Sequence, residues 1–262
     1  MQPRTVPAER ENMSLTITPI ESGRLTSAKG VLCEHAKGDI TIPVSCWVVS
    51  HPKGTVLFDT GLHKELATDS RRLGASADVF AVDIPENEDL VALLSQKEFD
   101  AEKIDFIVLS HLHFDHCGGT EQIPNARIIV QEDEWVSGTD PKLIELGVYN
   151  PNDFNLGHSV KQIKGEFDLF GDGSVVCLPT PGHTAGHQSL RIELESGPVV
   201  LTSDCVYWQQ MLEDMSFPPF EFSREQHRDS MLNLIKLQQE GCKLIFGHDA
   251  SQWASLKDCV LR

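Results

Sequence analysis

Four residues in one six-residue stretch carry the most distinctive chemistry of this sequence: His111, His113, Asp115 and His116, in SHLHFDHCGG. They follow IDFIVLS, an apolar run of the kind buried in a sheet. In an extended segment residues two apart face the same way, so His111 and His113 can grip one ion together. Asp115 and His116 fall where the chain turns and can face a second ion. Gly118 and Gly119 read as the residues that allow this tight turn. A lone histidine is usually core filler or surface. Three histidines and an aspartate at the end of a buried strand are different, because burying them without a cation would strand several polar groups unpaired. Imidazole and carboxylate donors suit zinc, and the same donors accept iron, manganese, cobalt or nickel.

The elements that must position this cluster are legible around it. LTITPIES alternates like a strand, and PVSCWVVS, a His-Pro-Lys-Gly turn and TVLFDTG form a hairpin pattern. Residues 64–86 lack a clear period and read as a long irregular loop. Leu90, Val91, Leu93 and Leu94 give the stretch from Glu88 to Glu98 helical spacing. NARIIVQ predicts a strand, Glu132 onward a helix, and 137–170 a mixed, loop-rich region. SVVCLPTPGH, QSLRIEL and GPVVLTSD are strand-like. Ser223 is placed to cap a helix running to Gln239, with Met231, Leu232, Leu234, Ile235 and Leu237 as its apolar face. KLIFGHD predicts a last strand, followed by a short closing helix. TVLFDTG then IDFIVLSHLH is echoed by PVVLTSD then KLIFGHD: in each half one strand ends on Asp and a later one on His. An α/β fold with two sheets sandwiched between outer helices, an αββα arrangement, satisfies this echo. No linker divides the chain, so residues 14–262 read as one domain and 1–13 as a polar, disordered extension.

Composition narrows the function. With 22 basic and 39 acidic residues the net charge is −17, which repels phosphate backbones and anionic headgroups and argues against nucleic-acid or membrane partners. No apolar run approaches the roughly 20 residues of a membrane span, and MQPRTVPAERENM lacks the apolar centre of a secretory signal. Seven scattered cysteines without a CxxC predict reduced thiols in a cytoplasm.

SHLHFDHCGG resembles the HxHxDH motif of the metallo-β-lactamase fold superfamily, and the remaining motifs follow in order. Asp59 in DTG is similar to the first, a residue that supports a ligand from behind. His183 in TPGHTAGH, Asp204 in LTSD and His248 in FGHD are similar to the later ones. The resemblance runs from about residue 40 to the C-terminus. It implies that His111, His113 and His183 hold one ion, that Asp115, His116 and His248 hold another, and that Asp204 bridges them. Seven ligand candidates exceed the needs of one tetrahedral ion, so two zinc ions per chain are expected, serving hydrolysis of an activated carbonyl or phosphoryl bond. Zinc β-lactamases generally lack the bridging aspartate, flavodiiron proteins carry Glu where His113 stands, and nuclease members usually carry basic arms or extra domains.

Within the superfamily the chain most resembles N-acyl-homoserine lactonases. TPGHTAGHQSL, the short tail after GHD, and Tyr207 three residues beyond Asp204 carry that likeness. It implies that Tyr207 hydrogen-bonds the substrate near its carbonyl and that Asp115 passes a proton to the leaving ring oxygen. The expected partner is a small lactone, N-acyl-homoserine lactones being favoured. A γ-butyrolactone or 4-pyridoxolactone type of substrate, or glyoxalase-II-like thioester hydrolysis, are the alternatives. The intact ligand set and Tyr207 argue against a binding protein without turnover. His187 reads as a supporting histidine. His35, His51, His63, His158 and His227 read as ordinary, and Cys117 and Cys205 as packing residues. Trp208, Met211, Met215, Phe217, Phe220 and Phe222, within 206–222, either wall an acyl pocket or pack beneath a loop. Val79, Phe80, Val82 and Ile84 form a lid or a homodimer contact.

Overall fold

The structure, a computed structural model, describes residues 14–85 and 88–262; the extension expected over 1–13 lies outside them. Among the described residues, seven strands form one mixed sheet. They are β1 (Thr16–Ala28), β2 (Asp39–His51), β3 (Gly54–Phe58), β4 (Ala81–Asp83), β5 (Phe106–Val108), β6 (Arg127–Gln131) and β7 (Val160–Ile163), in the order β4-β1-β2-β3-β5-β6-β7. Five more form a second: β8 (Phe167–Asp168), β9 (Val175–Pro179), β10 (Gln188–Leu194), β11 (Gly197–Leu201) and β12 (Lys243–Ile245), in the order β12-β11-β10-β9-β8. The helices are α1 (Lys29–Leu32), α2 (Leu90–Gln96), α3 (Phe114–Cys117), α4 (Glu132–Gly138), α5 (Pro141–Glu145), α6 (Gln209–Asp214), α7 (Arg224–Gln239) and α8 (Ala250–Leu256). None is long and apolar enough to cross a membrane.

Strand alternation builds the layers. Val56 and Phe58 of β3, Ile129 of β6, and Val175 and Cys177 of β9 meet in the core between the sheets. Their neighbours Leu57, Ile128 and Val130 face the other way, onto Leu90 and Leu94 of α2. Val176 and Leu178 of β9 turn outward onto Met231 and Leu234 of α7. Two sheets with apolar residues on both faces need a helical cover on each side, and this is the αββα sandwich expected. The halves echo one another as the sequence suggested. β3 runs parallel to β5 and leads into Asp59, while β5 leads into His111. β11 runs parallel to β12, with Asp204 and His248 beyond their ends. All four residues therefore gather along one edge of the sandwich.

Several local expectations differ from the structure. The part of the 64–86 stretch that the structure describes, residues 64–85, is not an irregular loop: 3₁₀ turns at Lys64–Ala67 and Ser70–Asp78 precede β4, which pairs antiparallel with Arg24–Thr26 of β1. The sequence concealed this because β1 runs past its clear alternation, through a register shift at Glu21 and Gly23, and offers a free edge. Within 79–84, Val82 and Ile84 pack inward with Phe80, whereas Val79 is exposed. Ser223 does cap α7, accepting from the Gln226 amide, but Leu232 lies on its outer face, 45% exposed. Gly118 (φ −60°) and Gly119 (φ −85°) have ordinary right-handed backbone and are not needed for an unusual turn. They are needed because the 60–63 backbone packs on them. A Cβ on Gly118 would stand 2.5 Å from the His63 amide nitrogen and 2.8 Å from the Gly61 oxygen, and one on Gly119 2.3 Å from the Thr60 oxygen.

Backbone atoms cannot swing aside as a flexible side chain can. Gly118→Ala is therefore expected to destabilise the fold by about 1–3 kcal/mol or more, the usual cost of overpacking. A urea titration reads this as a lower midpoint; an unchanged midpoint would refute the close-packing account.

Candidate metal centre

Five imidazoles and two carboxylates meet at this edge. Strand β5 leads through Ser110 to His111, and the tight turn that follows presents His113, Asp115 and His116 around α3. His183 comes from the loop after β9, Asp204 from a 3₁₀ turn after β11, and His248 from the loop after β12. His111 Nε2 and His183 Nε2 each lie 3.0 Å from His113 Nδ1. Asp204 stands between two groups. Its Oδ2 faces His183 Nε2 at 3.3 Å and His111 Nε2 at 3.8 Å, and its Oδ1 faces His248 Nε2 at 3.0 Å and His116 Nε2 at 3.2 Å. Asp115 Oδ2 lies 3.6 Å from His116 Nε2 and 3.8 Å from His248 Nε2. Three sets of converging donors result: His111, His113 and His183; His111, His116 and Asp204; Asp115, His116 and His248.

The outward-facing nitrogens are held by the scaffold, which fixes ring orientation. His116 Nδ1 donates to Asp59 Oδ2 at 2.9 Å, and His248 Nδ1 to the Pro43 carbonyl at 2.8 Å. His111 Nδ1 lies 3.0 Å from Ser110 Oγ, whose hydroxyl donates to Asp59 at 2.8 Å. Asp59 also accepts from the Ser110 amide at 2.7 Å. It supports the cluster from behind, in the place the DTG motif suggested.

The electrostatics call for a cation. Burial holds His111 and His183 well below the usual histidine pKa, leaving neutral rings with free lone pairs. Burial also pushes His116 and His248 down, but Asp204 and Asp115 outweigh it and hold both above the usual value. Burial would raise Asp204, yet His116 and His248 keep it ionised. His116 Nε2 and Asp204 Oδ1 are buried with no hydrogen-bond partner. A ring nitrogen and a carboxylate oxygen left without hydrogen-bond partners in a dry interior fit a bound metal ion, which would take the place of the proton that the carboxylates draw onto His116, and the donor set has no other evident use.

A cavity of about 350 Å³ opens onto the cluster, lined by His113, Asp115, His183, Asp204 and His248 on one side and by Leu25, Ile42, Leu73, Phe80, Phe114 and Phe220 on another. Tyr207 lines it too. Its hydroxyl lies 3.4 Å from His183 Nδ1. Since His183 presents Nε2 to the cluster, its proton sits on Nδ1 and points at the Tyr207 oxygen, which frees the phenol proton for the cavity. Burial, then Asp204 and Asp115, push the phenol far up, so it stays protonated.

The sequence model of the metallo-beta-lactamase superfamily matches residues 40–248. The chain belongs to that superfamily. It is 34% identical over 227 residues to the N-acyl homoserine lactonase AttM of Azorhizobium caulinodans, covering 84% of this chain and 86% of the relative. It is also 34% identical over 218 residues to an N-acyl homoserine lactonase of Bacillus sp, covering 81% and 84%. The fold superposes on an N-acyl homoserine lactone hydrolase solved with N-hexanoyl-L-homoserine at its catalytic metal center: TM-score 0.82, 28% identity, covering 93% of this chain and 97% of that one.

Other residues of this superfamily member separate into support and filler. His227, expected to be ordinary, is buried behind the site. It bonds Glu221 at 2.7 Å and the carbonyl of Cys205 at 2.9 Å, and it packs where a Cβ on Gly182 would fall. His51, His63 and His158 are engaged with Ser174, Glu65 and Ile123. Cys117 and Cys205 are buried packing residues, as expected. In the aromatic segment Phe220 lines the cavity, Trp208 and Met211 pack beside it, and Phe217 joins the α7 core. Sequence reasoning missed Ser203, which donates to Ser110 Oγ at 2.9 Å, and Glu134; nothing in their local sequence marks them.

His187 is fully buried beside the centre, with Nδ1 held by the Thr180 hydroxyl and carbonyl. Burial pushes its pKa down from 6.5 to about 3. The folded chain then binds fewer protons than the unfolded one, so this stability is present above pH 6.5 and is lost as pH falls toward 3. The loss approaches about 1.4 kcal/mol per pH unit within that window. Unfolding of metal-free His187→Gln should show an acid slope shallower by about one proton. Equal slopes for the two proteins would contradict it.

Proposed function

We propose that this protein hydrolyses N-acyl homoserine lactones with two zinc ions held by His111, His113, Asp115, His116, His183, Asp204 and His248. One observation carries the proposal: Asp204 turns one oxygen to His111 and His183 and the other to His116 and His248, at the floor of an apolar cavity that Tyr207 also lines. The names of the relatives support the substrate class, and the all-imidazole and carboxylate donor set supports zinc. Seven unpaired thiols favour a reducing cytoplasm. All seven ligands come from one chain, so a homodimer is not needed to complete the centre.

Bound metal would supply Lewis-acid polarisation of a carbonyl and a water acidified to about pKa 7. The chain's own residues do the rest. The apolar wall takes the acyl chain and excludes water around the ring. Tyr207, protonated and with its oxygen fixed by His183, donates to the lactone carbonyl and stabilises the oxyanion as it forms. Asp115 receives the proton of the attacking water and delivers it to the ring oxygen, which otherwise departs as a poor leaving group. The acyl–oxygen bond breaks, and the product is a hydroxy acid.

Three measurements test this. Elemental analysis should approach two metal equivalents per chain, and a single equivalent that added zinc cannot raise would exclude the paired centre. Tyr207→Phe should lower kcat on N-hexanoyl homoserine lactone by about 10²–10³-fold, or less where metal shares the oxyanion; wild-type rates on every lactone would remove Tyr207 from the mechanism. Hydrolysis in ¹⁸O water should label the product carboxylate. Label in the new hydroxyl would mean displacement at the ring carbon and would overturn the roles given to Tyr207 and Asp115.

A further inference from the structure

Glu134 is an ionisable side chain with no place in the chemistry above. It lies in the first turn of α4 and is 0% exposed. Among the described residues no cationic side chain pairs with it; hydrogen-bond donors surround it instead. Oε1 accepts from the Leu112 amide at 3.0 Å. Oε2 accepts from Thr184 Oγ1 at 2.6 Å and from the Gly186 amide at 3.1 Å. Burial and then the nearby Glu134 carboxylate push the Tyr149 phenol up, and the Tyr149 ring lies 5.6 Å from the His113 ring, tilted by 31°.

The donors are not a random set. Leu112 sits between His111 and His113, and Thr184 directly follows His183. These two loops are remote in sequence, and the carboxylate of a third element joins them. Gly186 makes the approach feasible, since a Cβ there would stand 2.1 Å from the Glu134 amide nitrogen. Burying a carboxylate is costly, and an apolar side chain of similar volume often stabilises a core as well or better. Stability alone therefore does not explain a charged group here, whereas a rigid planar fork with two acceptor oxygens does explain how both loops keep a fixed separation. The supports of His116 and His248 are Asp59 and Pro43, which do not involve Glu134.

We propose that Glu134 is a positioning residue for the ion shared by His111, His113 and His183, clamping from behind the two loops that bring these imidazoles together. The proposal rests on the metal reading above. In Glu134→Gln one oxygen becomes an NH₂ donor. Either the Leu112 amide or the Thr184–Gly186 pair then faces a donor, and one loop is released. Thr184→Val removes a single hydroxyl bond and leaves the charge.

Zinc affinities measured by chelator competition, together with urea unfolding of the metal-free proteins, decide the matter. Wild type should bind two ions in two resolvable steps. Glu134→Gln should weaken one step by about 10–100-fold, the usual cost of losing a group that orients ligands, and leave the other unchanged. Thr184→Val should weaken the same step by less. Unchanged affinities in both variants, or equal weakening of both steps, would overturn the proposal while leaving the two-ion centre intact. If wild type itself fails to take up two ions, the parent reading falls and this one with it. Should metal-free Glu134→Gln fail to fold, Thr184→Val carries the test, and its unchanged affinity would overturn the clamp.

Discussion

The position of Asp204 constrains the rest of the structure. A carboxylate buried among four imidazole nitrogens at 3.0–3.8 Å is tolerable only if each donor is aimed, because a buried charge with misplaced partners costs several kcal/mol. Aiming requires both sheets to end at the same edge and the chain to turn sharply there. That demand is visible as backbone strain. Asp59 (φ 58°) and Ser203 (φ 47°) both adopt the left-handed region without being glycine, at an expected cost of order 1–3 kcal/mol each. They leave strands of opposite sheets and meet beneath the cluster, Ser203 Oγ lying 3.3 Å from Asp59 Oδ2. The strained residues thus brace one another, and His116 is braced through Asp59.

The same edge divides electrostatically. His111 and His183 are kept neutral by burial, while His116 and His248, nearer the carboxylates, are held toward the charged form. One half is a neutral nitrogen nest and the other a mixed nitrogen and oxygen site. Two ions placed there would differ in ligand charge although they share Asp204. Scaffold support differs as well: a direct bond from Asp59 and the Pro43 carbonyl on one side, and Glu134 together with Asp59 acting through Ser110 on the other.

How much of this was legible in the sequence depended on whether the information was local. His111, His113, Asp115 and His116 stand within one turn of a strand end, so spacing alone exposed them. His183, Asp204 and His248 became legible through motif order, and the repeated Asp-then-His strand ends correctly anticipated two sheets whose strand ends meet at one edge. The sandwich was legible through that echo between the halves, and the near-continuous apolar runs of β3, β6 and β9 fit strands covered on both faces. Residues acting over long separations were silent. Glu134 is one acid among several at the start of a helix, and only the fold brings it to Leu112 and Thr184. The pairing of β4 with β1 was hidden because three residues are too few to show a period. Gly118 and Gly119 were noticed for the wrong reason: sequence suggests conformational freedom, whereas the structure needs the missing Cβ.

The charge of the whole chain also acquires a meaning on the lactone reading. A net charge of −17 exerts little force on a neutral lactone, so substrate entry is governed by the apolar wall of Phe80, Phe114 and Phe220. Hydrolysis converts that neutral molecule into an anion inside the same cavity. Once its carboxylate leaves the ions, the surrounding negative potential pushes it outward. The field thus acts on the product and not on the substrate, opposing product rebinding without weakening capture. Arg72, which also lines the cavity, is already paired with Glu65 at 3.1 Å and Asp153 at 2.5 Å, so the pull that opposes this release comes from the ions that the seven ligands would hold.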